Sequence, residues 1–179
     1  MMENQDNIIY IYICKDKAIL KFPKYNIEAK AYIGENGVTS NKKEGDRKTP
    51  LGEFELGIIL GTHPQEEVQE KINLKYSQIN ENMYWVDDIN SKYYNQLVDI
   101  TKVQKDWNSA EHLIDYPVQY EYLAEIKTNP ENIPGSGSAV FLHCSKGNST
   151  KGCIAVKKEI MEKIIRYIDK DTKIIIQNF

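Results

Sequence analysis

The chain of 179 residues contains no long apolar run. Stretches such as Ile8 to Ile13 fall far short of the roughly 20 residues a membrane-spanning helix needs, so no transmembrane segment is expected. An excess of one charge is also missing: 23 Lys and Arg face 26 Asp and Glu, for a formal net charge of −3. No global field therefore draws the chain to nucleic acid or anionic lipid, and a nucleic-acid partner is not expected. Cysteine is scarce. Cys14, Cys144 and Cys153 form an odd set that cannot pair fully within one chain, which excludes a disulfide framework and leaves at least one free thiol. The first residues, Met1 to Asp6, lack the basic region and small-residue cleavage site of a secretory signal, so no signal peptide is visible. Either a cytoplasmic chain or one whose export signal lies upstream is expected. Repeats, low-complexity tracts and linkers are absent too. A single domain over 1–179 is the reading, with an N-terminal β-hairpin in 1–25 as part of it.

What is present is mostly strand-like. Ile8 to Ile13 is β-branched and aromatic and reads as a strand buried on both faces; Asp16-Lys17 turns into a second strand, Ala18 to Phe22. Tyr25 to Ile33 reads as a third, ended by Gly34-Glu35-Asn36-Gly37. Glu44 to Gly52 is loop by its glycines and proline. Glu53 to Leu60 is extended, with Phe54, Leu56 and Ile58 on one face. Between Thr62 and Pro134 the pattern weakens: a strand at Met83 to Val86, short helices near Ser91 to Leu97 and a strand in Tyr116 to Ile126 are expected. Pro134 to Ser138 breaks the chain before a short apolar strand, Ala139 to His143. Ile160, Met161, Ile164, Ile165 and Ile168 recur at helical spacing, with charged residues on the other side. Asp169-Lys170-Asp171 stops that helix, and Thr172 to Gln177 reads as a final buried strand. The class expected is mostly β with short helices, one C-terminal helix and a last strand.

Chemistry concentrates in Phe141 to Ala155. A strand delivers His143, a polar loop follows, and Gly152-Cys153 opens onto another apolar segment. Free cysteine has a pKa near about 8.5, so few thiols are ionised at neutral pH, and an imidazole brought beside Cys153 by the loop can take its proton. Gly152, without a Cβ, lets the backbone approach a substrate closely. A cysteine after an apolar strand is more often a small core residue, and a histidine at a strand end more often a satisfied surface group. Structural zinc is disfavoured: there is no Cys-x-x-Cys pair, and His63 and His112 are isolated. A structural metal is therefore not expected.

His143 followed by a polar loop and Thr150-Lys151-Gly152-Cys153-Ile154-Ala155 resembles the signature of the L,D-transpeptidase (YkuD-like) catalytic domain. Gly45-Asp46-Arg47-Lys48-Thr49-Pro50-Leu51-Gly52-Glu53-Phe54 is similar to that family's Gly-Asp-x-x-Thr-Pro-x-Gly-x-Phe segment. Trp85-Val86-Asp87-Asp88 with Ser91 and Tyr94-Asn95 resembles a stretch of one branch. The resemblance implies a β-sandwich or barrel-like fold and a cleft in which Cys153 is nucleophile, His143 its base and Gly152 part of the nucleophile turn. Lys151, Thr150, Cys144, Ser145, Trp85 and Asp87 form the candidate substrate-binding set. Set against that, Asp46 and Thr49 read as turn-fixing residues, Thr150 as support, Cys144 as packing and Trp85 as core or cleft lining. A disulfide between Cys144 and Cys153 that switches the site off is a further expectation. The implied partners are peptidoglycan stem peptides, and carbapenem-type inhibitors for the same thiol; no metal or organic cofactor is implied. The implied reaction is attack before the terminal D-Ala of a stem tetrapeptide, through a thioester resolved by an amine to a 3→3 cross-link or by water. A catalytically silent peptidoglycan-binding module stays open as an alternative. Lys151 stands where the family often has histidine, and Ala155 where it often has Arg or Asn. Substrate outside the membrane implies an extracytoplasmic location.

Overall fold

The computed structural model describes residues 6–179. The N-terminal residues read above for an export signal lie almost wholly outside them.

Strands β1 (Ile8–Cys14) and β2 (Lys17–Phe22) form the expected hairpin. Pro23–Tyr25 winds into a 3-10 turn, and Asn26 takes a left-handed conformation before β3 (Ile27–Ala31), so the third strand starts later than Tyr25. Two-residue strands β4 (Val38–Thr39) and β5 (Thr49–Pro50) pair across the loop between them. Next come β6 (Gly52–Gly61), the short helix α1 (Gln65–Gln69) and β7 (Tyr76–Gln78). Then β8 (Met83–Val86), β9 (Leu97–Asp99) and β10 (Ala110–His112) form a separate three-stranded sheet with β8 central. The chain returns through β11 (Tyr122–Ile126), β12 (Phe141–Cys144), β13 (Ile154–Val156), the helix α2 (Lys158–Tyr167) and β14 (Lys173–Asn178).

The large sheet runs β13-β12-β11-β6-β14-β1-β2-β3, with β7 paired to β6. Its two ends meet: Tyr32 N–H donates to Ala155 O at 2.8 Å and Ala155 N–H to Tyr32 O at 3.0 Å. The sheet is thereby nearly closed, which removes most free edges. Inside it lies the main core, where Ile9, Ile11, Leu20, Phe22, Ile174 and Ile176 meet Met161, Ile164 and Ile165 of α2. A second core, with Leu60, Trp85, Leu113, Leu123 and Phe141, fills the space between the large and small sheets.

Four local expectations are corrected. Strand β1 buries only Ile9, Ile11 and Ile13; the other face carries Tyr10 stacked on Tyr12 at 5.6 Å, half-buried at the surface. Strand β6 does not keep Phe54, Leu56 and Ile58 on one face. A bulge opposite Glu125 shifts the register, so Leu56 and Ile59 enter the main core while Ile58 and Leu60 face the second. Glu125 accepts the Ile58 N–H that the bulge frees, at 3.2 Å, and occupies the space where a side chain on Gly57 would stand. No helix forms over Ser91 to Leu97. Asp88 accepts the N–H of Asn90 and Asn108, and Asp106 takes Ser91 Oγ and Lys92 N–H, so side chains satisfy the backbone in turns instead of a helix. The strand expected from Tyr116 likewise begins only at Tyr122.

Candidate active site

Three pieces of chain build the site, and polar side chains fasten each. The first is β12, which places His143 between Leu123 of β11 and Ala155 of β13. Side chains alternate along it: Phe141 faces the second core, Leu142 and Cys144 the main core. His143 therefore shares the Phe141 face, and its ring meets Tyr120 edge-on at 5.6 Å.

The second piece is the turn that carries Cys153. Thr150 Oγ1 accepts Gly152 N–H at 3.0 Å and donates to Cys153 O at 2.6 Å. Thr49, fully buried, donates to Gly152 O at 2.9 Å and accepts Gly34 N–H at 2.8 Å. Gly152 has φ +132°, and a Cβ there would stand 3.0 Å from Lys48 O. Asp46 folds the preceding loop by accepting Lys43 and Lys48 N–H, both at 2.9 Å, and the Lys42 ammonium. Burial alone would raise the Asp46 carboxyl, but Lys42 and those two N–H groups outweigh it and hold its pKa low. The Gly-Asp-x-x-Thr-Pro segment is thus the cradle of the Cys153 turn.

The third piece is the segment before β12. Tyr94 Oη accepts Gly137 N–H at 3.0 Å, and Asn95 Oδ1 accepts both Ala139 N–H and Trp85 Nε1–H at 3.1 Å. Ala139 sits at φ +51°, an uncommon conformation for a residue with a Cβ. Its carbonyl receives the Cys153 thiol at 3.2 Å, while Phe141 N–H donates to Cys153 Sγ at 3.3 Å.

Cys153 stands where two hollows meet. One, of about 330 Å³, also reaches His143, Tyr120, Thr150 and Ala155. The other, of about 190 Å³, reaches Lys42, Asp87 and Gly152. Glu111 and Lys151 border both. Nucleophile and base candidates thus open onto one cleft, yet the resting thiol bonds Ala139 O and not the imidazole. Burial, and after it the charge of Glu111, pushes the Cys153 pKa up to about 12 against the pull of Phe141 N–H and Lys42. The proton transfer to the imidazole expected from the sequence is therefore not made at rest. His143 Nδ1 lies 2.8 Å from Cys144 O, and a carbonyl only accepts, so Nδ1 carries the hydrogen and Nε2 of the neutral ring keeps a lone pair. Burial lowers the His143 pKa, which keeps the ring neutral and able to take a proton.

Of the candidate substrate-binding residues, Lys151 and Thr150 line the larger hollow and Asp87 the smaller; one buried oxygen of Asp87 has no hydrogen-bond partner among the described residues. The structure places the other three away from both hollows. Cys144 is 2% exposed on the opposite face of the sheet, its thiol 3.7 Å from Tyr122 O. That face also separates it from Cys153, so the switching disulfide has no geometry to form; all three cysteines are free. Trp85 lies beneath the site, edge-on to Phe141 at 4.8 Å, and borders neither hollow. Ser145 Oγ accepts Gly147 N–H and holds the loop after β12. Sequence reasoning missed Lys42, Glu111, Tyr120 and Ala139. None lies in a motif with a chemical signature, and only the fold brings them to Cys153.

Among the described residues, no group of three or more His, Cys, Asp or Glu is placed to hold a metal ion, and no helix is long and apolar enough to cross a membrane. A search of curated proteins finds no match. Among solved structures, the helical cell shape determining protein Pgp2 of Campylobacter jejuni is similar at 14% identity and TM-score 0.45, over 96% of this chain and 47% of that one. The Mycobacterium tuberculosis L,D-transpeptidase 1 is similar at 13% identity and TM-score 0.38, over 94% of this chain and 60% of that one. The chain thus spans less than two thirds of the length of either. A family model, the YkuD L,D-transpeptidase catalytic domain, matches residues 5–176, nearly the whole chain, and the protein belongs to that family.

Proposed function

We propose that the protein is a peptidoglycan L,D-transpeptidase in which Cys153 is the nucleophile and His143 the general base. The observation that carries this reading is the His143 ring, fixed by Cys144 O with a free Nε2, opening onto the same cleft as Cys153. On substrate entry the thiol leaves Ala139 O and passes its proton to Nε2, and sulfur attacks the carbonyl before the terminal D-Ala. The Cys153 N–H, which meets no acceptor among the described residues, is available to the oxyanion. Collapse breaks the C–N bond, the imidazolium returns its proton to the leaving amine, and D-Ala departs from a thioester. An amine of a second stem then attacks, gives up its proton and releases the thiol with a 3→3 cross-link; water in its place makes the same site an L,D-carboxypeptidase. Of the two hollows that meet at Cys153, one would take the donor chain and the other the acceptor. This activity requires an extracytoplasmic location.

Purified protein incubated with disaccharide-tetrapeptides and read by mass spectrometry tests the reading. Dimers or tripeptides are expected from the native chain and neither from Cys153→Ala or His143→Ala. Product from the Cys153 variant ends it. A carbapenem is expected to add its mass to Cys153.

The second reading, a silent peptidoglycan-binding module, is favoured by one feature: the resting thiol is protonated and bonded to Ala139 O. Muropeptide binding with neither adduct nor product supports that alternative.

A further inference from the structure

Beyond the cysteine and histidine, the cleft holds a carboxyl that the proposed reaction does not use. Glu111, on β10, is the acid that borders both hollows at Cys153. Its Oε2 accepts the Tyr120 hydroxyl at 2.5 Å, and the Tyr120 ring lies between it and His143. Tyr120 is buried and also packs edge-on against Phe141, whose N–H touches Cys153 Sγ. The carboxyl is thus held by a buried, packed side chain.

We propose that Glu111 is a positioning residue of the Cys153 site, a fixed carboxylate whose charge restrains the thiol from ionising and whose protonation lifts that restraint. The groups facing it are few. Tyr120 and Tyr116 come from the turn before β11, Asp87 from the end of β8, Glu44 from the loop between β4 and β5, and Lys151 from the nucleophile loop. Desolvation raises the Glu111 pKa to about 7, the Tyr120 bond and Lys151 oppose the rise, and Asp87 and Glu44 add to it. Its charge therefore changes across the neutral range, while the thiol beside it feels that charge directly. With Glu111 ionised, Cys153 rests as a thiol on Ala139 O, guarded from adventitious alkylation and oxidation; with Glu111 neutral, proton transfer to His143 Nε2 becomes easier.

The inference rests on Cys153 being the working thiol, but its test does not need acyl transfer. The rate of iodoacetamide addition to Cys153 is measured from pH 5.5 to 10 by peptide mass spectrometry, in a Cys14→Ser background that removes the exposed thiol. Glu111→Gln is expected to move the profile to lower pH, with addition near pH 8 faster by about threefold to tenfold, a tenfold change being one pKa unit. Glu111→Asp, which keeps a charge, is expected to restore most of the native profile. Tyr120→Phe removes the hydroxyl that favours the carboxylate, so its rate exceeds the native one only around neutral pH and rejoins it when Glu111 is ionised in both. Circular dichroism melting checks that each variant folds. A Glu111→Gln profile that superimposes on the native one, or moves to higher pH, in a folded protein overturns the inference. If alkylation behaves as stated while no muropeptide product forms, the transpeptidase reading fails and the role of Glu111 stands.

Discussion

Replacing Thr49 by valine probes how the Cys153 turn is held. Valine nearly matches threonine in volume but lacks the hydroxyl, so packing is kept while two hydrogen bonds disappear. Thr49 is 0% exposed, and its Oγ1 serves Gly34 N–H at 2.8 Å and Gly152 O at 2.9 Å. No water reaches the hydroxyl to replace it. A buried donor or acceptor left without a partner costs about 1–3 kcal/mol, so two such groups give about 3 kcal/mol once partial relaxation is allowed for. At a urea slope of about 2 kcal/mol per M the midpoint falls by roughly 1.5 M with the slope unchanged. Thr49→Ser keeps the hydroxyl and loses one methyl, so it is expected to cost only about 1 kcal/mol. Urea unfolding followed by tryptophan fluorescence measures both. A Thr49→Val midpoint within about 0.3 M of the native value refutes the reasoning, because the bonds would then contribute almost nothing net.

Gly152→Ala puts a Cβ 3.0 Å from Lys48 O at φ +132°, so lower stability and slower carbapenem addition are expected, read by melting and intact mass. Ile164, fully buried where α2 meets the main core, is expected to cost about 2–5 kcal/mol when cut to alanine, measured by urea unfolding, and a loss under 1 kcal/mol would contradict its placement. The pH dependence of stability carries the mark of Glu111. Its folded pKa of about 7 is raised, so its contribution is fully present below the unfolded carboxyl pKa of 4.5 and is lost as pH rises through 7. Glu111→Gln should therefore flatten the decline between those values, and urea midpoints with an unchanged pH slope argue against a buried carboxyl.

Legibility differed by element for physical reasons. Helix α2 was readable because a helix against a core must repeat its apolar residues every three to four positions, as Ile160, Met161, Ile164, Ile165 and Ile168 do. The β1–β2 hairpin was readable from its β-branched runs and a two-residue turn. Ser91 to Leu97 does not read correctly from local pattern because Asp106, 14 residues beyond Lys92, accepts the Lys92 N–H and also takes the Ser91 hydroxyl. The face switch in β6 depends on a bulge whose freed N–H is met by Glu125 from another strand.

The sequence by itself singled out the candidate thiol and imidazole, their order, and Gly152 and Thr150 beside Cys153, since proton transfer between such groups demands particular atoms close together. Only the tertiary structure decided which neighbours surround them. It placed Glu111, Tyr120, Lys42 and the Ala139 carbonyl at Cys153, and it sent Cys144 through to the far side of the sheet. Distances between residues remote in the chain, and the face a strand residue presents, follow from strand pairing and sheet closure, which are properties of the whole fold and not of any one segment.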